Sequence, residues 1–93
     1  MGAQLMDNIR PFDIWRRKDT ETLVRYRCFE HLETAGFCVQ NADFYRAPVT
    51  DEYLWQLEKQ YLELLLEEDP FSRSGSFASV EEAIEEHDAS FED

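Results

Sequence analysis

The sequence predicts a single α+β domain in which a three-stranded antiparallel β-meander is followed by two α-helices packed on one face of the sheet. Three observations carry that reading. The first half of the chain alternates apolar and polar residues in short runs bounded by turn-forming clusters. The second half switches to an apolar repeat of three to four residues. The loops between the strand-like runs are too short for a parallel return, which takes about a dozen residues or more. The resulting order, β-β-β-α-α without internal repeat, is that of an α+β domain with helices laid on a sheet. Ninety-three residues allow one such domain with one modest core.

Residues 1–9 read as a flexible leader and 10–93 as the domain. The first strand is expected over 11–17, where Pro11-Phe12-Asp13-Ile14-Trp15 is aromatic and β-branched. It runs into the polar turn Lys18-Asp19-Thr20-Glu21. The second strand spans 22–32, with Val24, Tyr26 and Cys28 on one face and Arg25, Arg27 and Phe29 on the other, because side chains alternate along a strand. Glu33-Thr34-Ala35-Gly36 turns the chain, Gly36 being free to take positive φ. The third strand follows over 37–45.

The first helix is expected over 51–68. Thr50 is its N-cap, Asp51 and Glu52 favour its positive end, and Asp69-Pro70 terminates it. At ~100° per residue, its apolar side chains cover an arc of roughly 220°. A surface helix needs an apolar stripe somewhat above ~100° wide, so this helix has apolar surface to spare. Glu58 falls inside the apolar arc and must be paired or reach water, which marks it as a candidate buried ion pair. Residues 71–77, with Ser72, Ser74, Gly75 and Ser76, read as a turn-rich link. The second helix is expected over 80–91, opened by the capping box Ser79-Val80-Glu81-Glu82 and packed through Val80, Ile84, His87 and Phe91.

Charge narrows the function classes. The chain carries 21 acids against 9 bases, a net of -12. Residues 67–93 hold ten acids and one base, and 10–27 hold six bases and three acids, so the molecule is bipolar. The overall sign disfavours nucleic acid as a partner. No apolar run is long enough to cross a membrane, and the opening lacks the pattern of a secretory signal. Two cysteines are too few for a disulfide scaffold, which points to the cytoplasm.

Chemistry-bearing motifs are absent. There is no nucleophile elbow and no glycine-rich phosphate loop. Cys28-x2-His31 with Cys38 lacks a fourth ligand, and its odd spacing on a strand points Cys28 and His31 to opposite faces, so no metal or other cofactor is implied. Cys28 and Cys38 can approach across the hairpin only if the pairing register allows it. No catalytic residue is assigned and no enzyme activity is expected.

These features imply a small acidic cytoplasmic interaction module, an inhibitor, immunity-type protein or adaptor acting by binding alone. Its partner surface is the carboxylate face of Glu81, Glu82, Glu85, Glu86 and Asp88, suited to a basic protein. The surplus apolar surface of the long helix, Tyr53, Trp55, Leu62 and Leu66, is expected to be buried in a homodimer. The alternative is an anionic-ligand site or minor enzymatic site on the hairpin face of Trp15, Arg17, Arg25 and Arg27, where an arginine stacked on Trp15 would be a good cation-π pair.

Overall fold

A computed structural model describes residues 8–91. The strands β1 (Ile9–Arg17), β2 (Leu23–His31) and β3 (Phe37–Tyr45) form one antiparallel sheet in the order β1-β2-β3. The helices α1 (Asp51–Glu67), α2 (Pro70–Ser74) and α3 (Val80–Phe91) follow. The fold is therefore the α+β meander with helices packed on it. Strand β1 begins at Ile9, inside the stretch read as leader. Residues 1–7 of that leader lie outside the described residues.

Local chemistry sets the helix ends. The Thr50 hydroxyl accepts the Tyr53 N–H at 3.1 Å, and the Ser79 hydroxyl accepts the Glu82 N–H at 3.2 Å. Between them, the segment expected to be a plain link forms α2 instead. Asp69 caps it by accepting the Phe71 N–H at 2.9 Å, and Pro70, with its φ already helical, takes the first turn and is buried.

The helices do not share one face of the sheet; they divide between the two. On one face, Val24, Tyr26, Cys28 and Val39 form the buried cluster with Ala83 and Ile84 of α3, with Phe12, Ile14, Ala42, Phe77 and Val80 packed around it. On the other, Tyr61 of α1 lies parallel to Phe29 with ring centroids 6.0 Å apart. The Arg27 guanidinium sits 4.5 Å from the Tyr61 ring centroid, and Gln40 Nε2 donates to the Tyr61 carbonyl at 3.2 Å. The reason lies in the connection. Helix α2 packs beside β3, with Phe71 edge-on to His31. Phe77 then exchanges two 2.9 Å backbone hydrogen bonds with Phe37, which carries the chain past the free edge of β3 to the opposite face.

One irregularity interrupts the ladder between β2 and β3. Arg27 pairs with Asn41 but Cys28 with Val39, which leaves Gln40 as an extra residue in β3. The bulge decides where the cysteines stand. Cys28 lies opposite Val39 and Cys38 opposite Phe29, so the two thiols stand on opposite faces of the sheet and cannot approach. Both are buried and free.

The turn before β3 differs from the expectation as well. Its left-handed residue is Ala35, at φ 60°. Gly36 is needed for close approach, since a Cβ there would lie 2.0 Å from Ser76 Oγ.

Candidate functional site

Helix α1 is held on one side only. None of its 17 residues is buried. Tyr53, at the start, touches the sheet: its hydroxyl donates to the Phe44 carbonyl and its ring meets Tyr45 edge-on. The other three residues of the apolar surplus point away. Trp55 is 63% exposed, Leu62 48% and Leu66 86%. At ~100° per residue they fall within a stripe roughly 40° wide on the side of the helix turned from Tyr61. Lys59, the one base of α1, projects beside this stripe and bonds Glu63 at 2.8 Å.

Glu58 lies at the border of the sheet-facing side. Its carboxylate is half exposed and reaches Arg27 Nη2 at 3.4 Å. The ion pair that is buried is another one: Arg27 Nε donates to Asp43 Oδ2 at 2.8 Å, with side chains only 4% and 2% exposed. Nothing in the sequence marks Asp43, because its partner sits on a neighbouring strand and only the register brings the two together. Loss of solvent is the largest single effect and works against the Arg27 charge, but the hydrogen bond and charge of Asp43, together with the charge of Glu58, leave the guanidinium pKa raised.

Arg25 is engaged in the same way. It bonds Asp13 at 2.7 Å and lies 5.0 Å from the Trp15 ring centroid, so the cation-π pair is present. Partial desolvation is opposed by the Asp13 hydrogen bond, and its pKa too is raised. Of the four residues Trp15, Arg17, Arg25 and Arg27, the two central arginines thus already hold carboxylates of the chain itself. Arg17 is exposed at the strand end.

Helix α3 sorts its acids. Glu81, Glu82, Glu85 and Glu86 are exposed. At ~100° per residue they span roughly 140° of the outer face. Asp88 belongs to the inner side. It accepts the Tyr26 hydroxyl at 3.0 Å and meets Arg16 at 3.4 Å. Partial burial, then the Asp88 bond, push the Tyr26 pKa up. Burial pulls the neighbouring His87 down against the opposing pull of Asp88. Near these residues a cavity of about 560 Å³ opens between the sheet and the C-terminal part of α3, bordered by Arg16, Lys18, Val24, Ala42 and Phe44.

Among the described residues no group of three or more His, Cys, Asp and Glu side chains is placed to hold a metal ion. No helix among them is long and apolar enough to cross a membrane. No protein family, no curated protein and no solved structure matches this chain.

Proposed function

We propose that the protein is a small acidic interaction module that works by binding rather than catalysis. It pairs with a second copy of itself through the outer stripe of α1 and presents the carboxylates of α3 to a basic partner protein, as an inhibitor, immunity-type protein or adaptor would. The observation that carries this reading is the stripe of Trp55, Leu62 and Leu66, three large apolar side chains in water on a helix with no buried residue.

A second copy suits the stripe because a two-fold axis sets the same apolar side chains against each other. A standard interface buries ~800 Å² per partner, more than the exposed parts of Trp55, Leu62 and Leu66 alone provide. Flanking side chains supply the remainder. In a two-fold helix pair each Lys59 faces the acidic rim of the other α1, which carries Glu58 and Glu63.

The four exposed glutamates of α3 lie on the sheet face opposite α1, so pairing through α1 leaves them open. The test is capture of proteins on immobilised wild type and on an E81Q/E82Q/E85Q/E86Q variant at low and high salt. The reading predicts basic proteins retained at low salt, released at high salt and lost with the variant. Equal retention by both baits rules out the acidic face as the binding surface.

A further inference from the structure

Arg25 and Arg27, on the α1 side of the hairpin, are spent on internal carboxylates, while the opposite side of the same hairpin keeps cations facing open space. Strand alternation places Arg16 with Val24 and Tyr26, and the cavity of about 560 Å³ lies over them. Its volume is that of a small-molecule site, for which ~300–1,000 Å³ is usual. The apolar lining open to a ligand is Ala42 at the floor and Phe44, 47% exposed, at the wall; Val24 and Tyr26 lie beneath, almost fully buried, and Gln40, Asn41 and His87 add polar edges. A cavity is left here because the buried contacts of α3, Ala83 and Ile84, lie in its N-terminal half, while His87 and Asp88 further along reach only its rim.

Two cations border the mouth, each beside a different ring. Lys18 Nζ stands 5.3 Å from the Phe44 ring centroid, and the Arg16 guanidinium 5.3 Å from that of Tyr26. Arg16 Nη1 makes long contacts to Asp88 Oδ2 at 3.4 Å and the Tyr26 hydroxyl at 3.3 Å. Its other N–H donors stay available, since a guanidinium carries five. Two cations against the single carboxylate of Asp88 leave this mouth locally positive in a chain whose net charge is -12. The overall charge does not cancel it, because at physiological salt fields between exposed charges fade over ~8 Å. The glutamates Glu81, Glu82 and Glu85 lie on the outer face of α3.

We propose that this cavity binds a small planar organic anion. Its ring lies against Phe44 and Ala42, and its carboxylate or equivalent anionic group sits between Arg16 and Lys18. A neutral aromatic ligand would leave both cations unused, and an inorganic anion would leave the apolar floor unused.

The experiment is an amide ¹H–¹⁵N titration of the full chain with 2-naphthoate, with the neutral 2-naphthamide in parallel. Saturable shifts centred on Val24, Ala42 and Phe44 are expected, with naphthamide at least about tenfold weaker, as loss of a charge-assisted contact implies. Arg16→Gln with Lys18→Gln, both on exposed residues, is expected to weaken naphthoate by a similar factor. Ala42→Leu fills the floor and is expected to block both compounds. The proposal is overturned by absence of saturation into the millimolar range, by equal binding of the neutral analogue, or by shifts that map to Trp55, Leu62 and Leu66 instead.

Discussion

Arg27 on β2 and Asp43 on β3 form a buried ion pair, Nε to Oδ2 at 2.8 Å. The second Asp43 oxygen accepts Asn41 Nδ2 at 3.1 Å, and Arg27 is further covered by the Tyr61 ring and approached by Glu58. Removing one partner leaves a charge without compensation in a desolvated place. Asp43→Ala or Arg27→Met is therefore expected to cost about 3–5 kcal/mol of stability in urea unfolding. Glu58→Gln, at the solvent edge, is expected to cost less than about 1 kcal/mol. A loss below about 1 kcal/mol for Asp43→Ala contradicts the buried pair.

The thiols give a second check. Burial, reinforced at Cys28 by Asp13 and at Cys38 by Cys28 and Asp69, pushes both up to about 12. At pH 8 only on the order of one in ten thousand is then thiolate, the reactive form. Both are expected to resist a thiol reagent in native protein and to titrate fully in urea, with no Cys28 to Cys38 disulfide under mild oxidation. Rapid reaction of either thiol in folded protein contradicts their placement.

The turn before β3 predicts an inversion of the usual glycine rule. Ala35 holds φ 60°, which costs an L-residue roughly 1–2 kcal/mol. Ala35→Gly relieves that strain and is expected to stabilise by about 0.5–1 kcal/mol, after the entropy that glycine loses on folding. Gly36→Ala is expected to destabilise, because Ser76 Oγ occupies the place of the new methyl group. Thermal unfolding of the two variants reads both signs.

His87 predicts a pH dependence. Burial holds its pKa below the ordinary 6.5, although Asp88 pulls the other way. As pH falls through about 6.5 the unfolded chain takes up a proton that the folded chain still refuses. Its contribution is thus present at neutral pH and lost between about 6.5 and the lowered folded value. Stability measured from pH 7 down to pH 5.5 is expected to fall for wild type and to fall less for His87→Leu. Identical slopes contradict a partly buried imidazole held neutral.

What was legible in the sequence was whatever depends on near neighbours. The meander followed from short loops, the start of α1 from Thr50 and its end from Asp69-Pro70, and the exposed stripe from an apolar arc too wide for one contact. What was not legible depends on register and on the path between elements. A single extra residue, Gln40, moves the pairing from Arg27 opposite Asn41 to Cys28 opposite Val39. That shift separates the two cysteines. Asp43 beside Arg27 is equally a matter of which strand position faces which. The division of the helices between two faces turned on Pro70 to Phe77, whose serines and glycine resemble a link, but whose Asp69 cap and Phe77 bridge route the chain past β3.

The exposed stripe of α1 and the acidic face of α3 respond to salt with opposite signs. Capture of a basic protein weakens as salt rises, whereas pairing of two chains each carrying -12 strengthens as their repulsion is screened. Sedimentation velocity at high micromolar concentration in moderate salt tests the central claim most directly. The account predicts a species of twice the 11.1 kDa chain mass, converted to a folded single chain by Trp55→Glu with Leu62→Glu. A wild-type protein that sediments as one 11.1 kDa chain under those conditions contradicts it.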